Sequence, residues 1–583
     1  MEYPLFTDEF EKKLTAHFRF IYGEERVPFC LDEMHRLLKE FERSPADTSI
    51  TISDVWTHQD HILITYGDMV RARREEAVSC LCKLRQFLNE ELHGVISTVH
   101  ILPFYPSSSD DGFSVVDYVR VDSSLGGWDD IESLSGDYRV MADLVMNHAS
   151  RHSSWFKNYL KGNEPYKDFF IEVDPTTDVS DVTRPRSTPL LTPVHTENGE
   201  KFVWTTFSAD QVDVNFANPV LLFRFIKIFL FYLSKGVNML RLDAVAYIWK
   251  ELGTNCIHLP ETHEIVKLMR TLADHYAPTS TLITETNVPH KENISYFGDG
   301  DEAHMVYQFS LPPLLLHAIL TEKATYLTQW ATTLNDLPPN CTYFNFTSSH
   351  DGIGVRPLEG LVPAQEFAEL VEGIKKRGGF VSEKQNADGS LSPYELNITY
   401  FDAFSEPNGS GRLQEKRYLC SQILMLSFQG VPGIYFHNLT ATRNNMHGVR
   451  TTGRYRTINR KKWLYDELTD ELNDPDTTTH RIFYRYKEIL TTRKKHPAFH
   501  PFGSQRVMNI DDEIFCMERQ SPDGRETILV LANVSGASQK RSLSDGELPI
   551  LADRAYVDLL SNSECIQNGQ LVLDPYQVAW VLV

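Results

Sequence analysis

The sequence predicts an α/β protein built on a (β/α)8 TIM barrel, with inserted lobes after the third and seventh strands, a helical extension in front and a β-sandwich behind. Three observations support this prediction. Short β-rich runs alternate with helical patterns from His61 onward, as parallel strands joined by helices do. Eight runs qualify as strands, and several of them end in polar side chains. A length of 583 residues is enough for a barrel with insertions and a further domain.

The segment before the barrel carries two amphipathic patterns, FTDEFEKKLTAHFRFIY and LDEMHRLLKEFERS. Their apolar residues recur at intervals of three and four, which favours helices that pack one face against the protein. We therefore expect residues 1–58 to form an N-terminal helical extension.

The barrel itself is expected over residues 59–500. Its strand candidates are, in order, HILITYG, VISTVHILPF, YRVMADLVMNH, VNMLRLDAV, STLITETNV, MVYQF, CTYFNFTSSH and GVPGIYFH. A helical pattern over residues 71–92 follows the first strand. The apolar residues 221–240 contain Arg224, Lys227 and Lys235, which a membrane span would not accommodate. They indicate a barrel helix that leads into the fourth strand.

Two insertions interrupt the alternation of strands and helices. Residues of about 150–213, rich in Thr, Pro and Asp, follow the third strand and predict a small lobe. Residues of about 358–406 follow the seventh strand and contain Gly and Pro breaks. From residue 501 to 583 the pattern becomes alternating strands, which predicts a C-terminal β domain.

Charge and cysteine usage exclude several classes of function. The formal net charge of −22 disfavours nucleic acids and anionic membranes as partners. The eight cysteines are scattered without CxxC or zinc spacing, and MEYPLFTDEF lacks the features of a signal peptide, so we expect a cytoplasmic protein. No cluster of metal ligands stands out, and neither a metal nor a cofactor is predicted.

Acidic and histidine side chains stand where strands end, which is where barrels place their reactive groups. The segments are DLVMNH, MLRLDAV, LITE and NFTSSHD. Each acid alone is as compatible with a helix cap or a surface charge as with catalysis. Their joint placement on four strand ends favours one active site.

These segments resemble the four strand-end motifs of the α-amylase family (glycoside hydrolase family 13), as DLVMNH, RLDAVAY, ITET and SSHDGIG, in the family's order. LPFYPSSSDDGFSVVDY, WKELGTNC, SLPPLLLHA and GVPGIYF are similar to its sucrose-phosphorylase-like branch, from about His61 to Lys462. Some members bind calcium between the barrel and the first lobe, where Asn147 would be a candidate ligand. The helical extension is not covered by the resemblance.

The resemblance implies a retaining enzyme with Asp243 as nucleophile, Glu285 as general acid and base, and Asp351 as the carboxylate that grips sugar hydroxyls. A retaining mechanism needs one ionised and one protonated carboxyl group. We expect Arg241, on the same strand face as Asp243, to lower the pKa of that acid. Glu285 has no adjacent cation in the sequence, so its pKa is expected to stay higher.

The resemblance also implies a closed pocket for one terminal glucose. Ring contacts and hydroxyl contacts are expected from Asp110, Phe113, His148, Tyr247, His350 and Arg456. Asp110 and Arg456 resemble the pair that holds the far hydroxyls, which would restrict the enzyme to an end unit. A strand histidine or an aromatic side chain alone is more often structural.

Either phosphate or water would cleave the covalent glucosyl enzyme. Residues in the two inserted segments indicate which of the two is used. Arg186, in TRPRSTPLLTP, could bind phosphate together with Tyr394. Sucrose-acting members have a glutamine where this chain has Glu395, which argues against sucrose. Glu383 and Glu395 would suit the hydroxyls of a neutral polyol. The favoured reaction is therefore phosphorolysis of 2-O-α-glucosylglycerol to α-glucose 1-phosphate and glycerol.

Several alternatives stay open. Glucosylglycerate or sucrose would be phosphorolysed by the same chemistry, and Arg186 or Lys384 would serve the glycerate carboxylate. A retaining α-glucosidase or transglucosidase would use the same acids, whereas a silent carbohydrate-binding protein would lack one of them. The expected partners are a small glucoside and phosphate, and a homodimer is a further possibility.

Overall fold

A closed barrel of eight parallel strands forms the centre of the protein. The structure is a computed structural model and describes residues 6–41, 52–73, 75–334, 337–386, 388–406, 411–543, 548 and 555–583. The barrel strands are β1 (Ile62–Thr65), β2 (Thr98–Ile101), β3 (Arg139–Val145), β4 (Val237–Asp243), β5 (Thr281–Thr284), β6 (Met305–Tyr307), β7 (Thr342–Asn345) and β8 (Val431–Tyr435). Each strand pairs with its neighbour in chain order, and β8 closes against β1. The predicted barrel is confirmed, strand by strand.

Helices surround the barrel and fill the connections between its strands. None of those in the described ranges is long and apolar enough to cross a membrane. The α-helices are Asp8–Tyr22, Val27–Glu40, Ile52–Val55, Cys80–Glu91, Trp128–Ser135, Ser154–Leu160, Pro219–Ser234, Pro260–Tyr276, His290–Ile294, Leu311–Thr321, Thr325–Ala331, Ala364–Lys376, Gly411–Ser427, Phe436–Leu439, Met446–Thr452, Tyr465–Asn473 and Thr478–Arg493.

Local polar contacts shift some of the predicted boundaries. The helix expected over residues 71–92 begins at Cys80, because the Ser79 hydroxyl caps it by accepting from the Cys82 amide at 3.1 Å. The residues before it form a short strand, Val70–Arg71, against Trp463–Leu464. The apolar residues 221–240 divide as expected into the helix Pro219–Ser234 and the start of β4.

Both inserted lobes consist of small antiparallel sheets near the carboxyl ends of the barrel strands. After β3, His148–Ser150 pairs with Gln211–Asp213, and Leu191–Thr196 pairs with Gly199–Trp204. After β7, a sheet contains Ile353–Gly354, Phe380–Gln385 and Leu391–Asn397. These lobes therefore form the walls around the barrel mouth.

The two N-terminal helices pack on the outside of the barrel. Asp8–Tyr22 lies against the barrel helix Pro260–Tyr276, where the imidazole of His17 is 2.6 Å from Glu264 Oε1. The Tyr22 hydroxyl donates to the carbonyl of Phe216 at 2.8 Å. The extension thus buttresses the helix that follows β4. The predicted end of the second helix, residues 42–44, lies outside the described residues.

Two four-stranded antiparallel sheets form the C-terminal β domain. One contains Ser504–Asn509, Ile514–Gln520, Thr527–Asn533 and Val578–Leu582, and the other contains Gln539–Ser542, Tyr556–Val557, Glu564–Gln567 and Gln570–Leu573. Side chains of both sheets share a separate buried apolar cluster. Face-to-face packing of this kind is the predicted β-sandwich.

Candidate active site

A pocket opens at the carboxyl ends of the barrel strands, with a volume of about 1090 Å³ that includes its mouth. Thirteen of the fourteen residues predicted for the site line it, and only Glu383 does not. The predicted residues that line it are Asp110, Phe113, His148, Arg186, Arg241, Asp243, Tyr247, Glu285, His350, Asp351, Tyr394, Glu395 and Arg456. Residues that are far apart in the chain therefore meet in one cavity.

Arg241, on β4, holds Asp243 at the end of that strand and Asp143 on β3. Its Nη1 donates to Asp243 Oδ1 at 2.6 Å and to Asp143 Oδ1 at 2.5 Å. His100 Nε2 contacts the second oxygen of Asp143 at 2.8 Å. Arg241 and Asp243 share a strand face because their side chains are two residues apart. The carboxylate of Asp243 is thus fixed in position at the pocket floor.

Glu285 follows β5 and faces the same arginine. Its Oε2 lies 3.8 Å from Arg241 Nη2 and accepts the amide of Ala244 at 3.1 Å. Ala244 has a φ of 48°, in the left-handed region that non-glycine residues rarely adopt. This turn directs the Ala244 amide at Glu285, and strained backbone of this kind is concentrated at functional sites.

Burial is the largest influence on the pKa values of Asp243 and Glu285. Burial raises the pKa of Asp243 to about 6, because Arg241 only partly offsets it and the charge of Asp143 adds to it. Arg241 lowers this pKa as predicted, but burial outweighs it, so the net shift is upward. Burial also raises the pKa of Glu285 to about 7 against the opposing charge of Arg241. That direction was predicted, although a cation is in fact nearby.

Two arginines hold Asp351 ionised. Arg456 Nη1 and Arg460 Nη2 lie 2.5 Å and 3.4 Å from Asp351 Oδ1. Burial alone would raise the pKa of Asp351, but the charges of Arg456 and Arg460 outweigh it and hold that pKa well below its ordinary value. The negative charge of Asp351 is close enough to Asp243 and Glu285 to add to the rise in the pKa of both acids.

His148, His350 and Phe113 form one side of the pocket. The rings of Phe113 and His350 stack with centroids 4.7 Å apart. His148 Nε2 contacts the Phe113 carbonyl at 3.0 Å and Gln211 Nε2 at 3.1 Å. Burial lowers the pKa of both histidines, so both are neutral at pH 7. Neutral imidazoles suit hydrogen bonds to sugar hydroxyls.

Asp110 contacts an arginine that the sequence did not single out. Its Oδ1 lies 3.8 Å from Arg460 Nη1, and the side chain of Asp111 also pairs with Arg460. Burial opposes the charge of Arg456, but Asp351, Glu395 and Asp110 raise the pKa of Arg456 well above its ordinary value. The expected pair of Asp110 and Arg456 is therefore part of a cluster that includes Arg460.

Arg186 and Tyr394 meet at another part of the pocket wall. The guanidinium carbon of Arg186 lies 5.1 Å from the Tyr394 ring centroid and 5.8 Å from that of Phe207. Phe207 in turn meets the Tyr247 ring edge to face at 5.6 Å. In the part of the chain that the structure describes, no carboxylate lies within 4.0 Å of Arg186. We call the surroundings of these four side chains the acceptor side.

Of the two acids expected to bind a polyol acceptor, one is paired with an arginine and the other lies outside the pocket. Glu395 accepts from Arg456 at 3.1 Å through each of its oxygens, and one of them also accepts the Gly352 amide at 2.7 Å. Glu383 is exposed and does not line the pocket, because the strand changes register between Ser382 and Glu383. Neither carboxylate is thus available for acceptor hydroxyls.

Sequence reasoning missed Gln211, Asn287, Arg460 and Lys250. Gln211 and Asn287 line the pocket, and Asn287 lies two residues after Glu285, a spacing that would have indicated it. Lys250 Nζ lies 2.6 Å from both Asn147 Oδ1 and Asp213 Oδ2. It ties the first lobe to the end of β3.

A metal site is not indicated by the side chains of the described residues. Within the described ranges, His, Cys, Asp and Glu side chains form no group of three or more that could hold a metal ion. Asn147, the candidate calcium ligand, instead accepts a hydrogen bond from Lys250. The prediction on metals stays a prediction.

Comparisons with known proteins agree with this architecture. Residues 92–354 match the model of the α-amylase catalytic domain. A glucosylglycerate phosphorylase of Spirochaeta thermophila is 48% identical over 89% of both chains, and a glucosylglycerol phosphorylase of Marinobacter adhaerens is 29% identical over 71% of this chain and 84% of its own.

A crystal structure shares the fold. The sucrose 6F-phosphate phosphorylase from Thermoanaerobacter thermosaccharolyticum superposes with a TM-score of 0.70 at 24% identity, covering 82% of this chain and 94% of that one. Strand-end motifs, barrel and relatives together identify the family, and this chain belongs to the α-amylase family, glycoside hydrolase family 13.

Proposed function

We propose that this protein is a glucosylglycerate phosphorylase that releases α-glucose 1-phosphate and glycerate. More generally, the protein is a retaining glycoside phosphorylase of the α-amylase family, a hexosyltransferase that acts on a glucoside and phosphate. The relative that is 48% identical carries the glucosylglycerate name, and the one named for glucosylglycerol is 29% identical. Glucosylglycerate therefore replaces glucosylglycerol, the substrate that the sequence favoured.

The observation that carries the proposal is the charge of the acceptor side. The preference for a neutral polyol depended on Glu383 and Glu395, but Glu383 lies outside the pocket and Glu395 is engaged by Arg456. Arg186, at the pocket wall, has no carboxylate partner among the described residues. An unpaired guanidinium favours an anionic ligand, and both phosphate and glycerate are anions.

The proposed reaction runs in two displacements. Asp243 attacks the anomeric carbon, and Glu285 gives its proton to the leaving glycerate oxygen, so that a C1–O bond to Asp243 replaces the glycosidic bond. A phosphate oxygen then attacks the same carbon from the vacated side and displaces Asp243, with Glu285 accepting the proton. Asp351, His148 and His350 hold the glucose ring throughout. The reaction would need no cofactor besides phosphate as co-substrate.

The proposal is tested by incubating the protein with glucosylglycerate, glucosylglycerol and sucrose, each with and without phosphate. We expect α-glucose 1-phosphate from glucosylglycerate only when phosphate is present, and lower rates from the other two. Free glucose formed at the same rate without phosphate would contradict the proposal in favour of a hydrolase. A cytoplasmic location and a homodimer stay predictions, to be checked by cell fractionation and by light scattering.

A further inference from the structure

Arg356 lies next to the acceptor side, in the turn Arg356–Leu358 that follows Ile353 and Gly354. Those two residues line the pocket. The Val355 amide donates to the carbonyl of Tyr394 at 3.0 Å, which fixes the turn against the segment that carries this tyrosine. Arg356 follows the pocket-lining residues directly. Its side chain does not itself line the pocket, but an arginine side chain is long enough to reach a ligand there.

The positive charge of Arg356 acts on two side chains of the acceptor side. Burial raises the pKa of both Tyr247 and Tyr394, and the charge of Arg356 works against this rise in each case. Both tyrosines line the pocket. The guanidinium group is therefore close enough to favour negative charge at this end of the cavity.

Among the described residues, Arg356 has no partner for its charge. Its Nε is shielded from solvent without a hydrogen bond, and no carboxylate in the described ranges lies within 4.0 Å of it. Arg241, Arg456 and Arg460, by contrast, are each paired with carboxylates. A buried donor without an acceptor is costly, so such a group is expected to be satisfied by a ligand.

We propose that Arg356 binds the carboxylate of the acceptor and thereby selects glycerate over glycerol, an inference that rests on the proposed function. Phosphate requires a cation whichever glucoside is cleaved, and Arg186 supplies it. A second unpaired arginine is needed only when the acceptor is also an anion. Arg356 would act as a specificity-determining residue, while Asp243 and Glu285 perform the same chemistry on either acceptor.

The test uses the reverse reaction, with α-glucose 1-phosphate as donor and glycerate or glycerol as acceptor. For each protein the ratio of kcat/KM for glycerate to that for glycerol is measured in one preparation, so partial misfolding cancels. We expect Arg356→Gln to lower this ratio by about 30-fold, the effect of losing one charged hydrogen bond. Arg356→Lys, which keeps the charge, should restore part of it.

Lys375→Gln is the matched control. Lys375 lies in the same insertion, on the exposed side of the helix Ala364–Lys376, and pairs with Glu372 at 2.6 Å, so its removal should leave the ratio unchanged. A ratio in Arg356→Gln within about threefold of the wild type would overturn the inference, as would a loss in Lys375→Gln. A raised KM for α-glucose 1-phosphate with an unchanged ratio would assign Arg356 to phosphate instead.

The two proposals fail in different ways. A wild-type protein that transfers glucose to neither acceptor would contradict the proposed function itself. A wild-type protein that uses glycerate, together with an Arg356→Gln variant of unchanged ratio, would contradict only the role of Arg356. If the glutamine variant does not fold, Arg356→Met takes its place, and its ratio should fall below that of Arg356→Lys.

Discussion

Replacing Glu285 by glutamine should abolish turnover and stabilise the folded protein at alkaline pH. Burial raises the pKa of this acid from 4.5 to about 7. As the pH rises above 4.5, the unfolded chain ionises first while the folded protein keeps the proton. The stability that this group contributes is thus complete below pH 4.5 and is lost as the pH passes about 7. A rise from 4.5 to about 7 corresponds to about 3 kcal/mol.

Glutamine carries no ionisable proton and escapes this loss. Urea titrations at several pH values should therefore give a Glu285→Gln variant that is more stable than the wild type by up to about 3 kcal/mol at pH 8. The difference should shrink towards pH 4.5, where both side chains are neutral in the folded protein. Glu488→Gln, which changes an exposed carboxylate paired with Arg485, should show no comparable rise. A difference that stays constant from about pH 5 to 8 would refute the argument from burial.

Two further predictions concern proton balance and the first lobe. Because Asp243 must be ionised and Glu285 protonated, kcat/KM for the glucoside should fall below about pH 6 and above about pH 7; initial rates that still rise at alkaline pH would contradict the assigned roles. Lys250→Met leaves the buried carboxylate of Asp213 without its cation, so it should lower the free energy of unfolding by about 3–5 kcal/mol and raise KM through the neighbouring His148. Lys235→Met, which breaks an exposed pair, should cost less than about 1 kcal/mol. Equal losses in the two variants would contradict the role of Lys250 in holding the first lobe.

The barrel and the main site residues could be predicted because both depend on local patterns. The strands are short apolar runs, and a polar residue such as Asp243 or Glu285 at the end of a run marks the barrel mouth. The predicted helix over residues 71–92 is longer than the real one, because a single serine hydroxyl decides that the helix begins at Cys80. Boundaries of this kind depend on single contacts and not on periodicity.

Contacts between distant segments could not be predicted. Glu395 was expected to meet an acceptor, but it pairs with Arg456, which lies 61 positions further along the chain. Glu383 was expected beside it, but one change of register in the strand places it outside the pocket. The pKa of Asp243 depends on how far burial outweighs Arg241, and the sequence gives no measure of burial.

Phosphate dependence of glucoside cleavage tests the central claim most directly. Glucosylglycerate is supplied with phosphate, and the products are followed by ³¹P and ¹H nuclear magnetic resonance. We predict α-glucose 1-phosphate and glycerate in equal amounts, with the α configuration visible from the first product formed. Free glucose as the product irrespective of phosphate, or β-glucose 1-phosphate, would contradict the account.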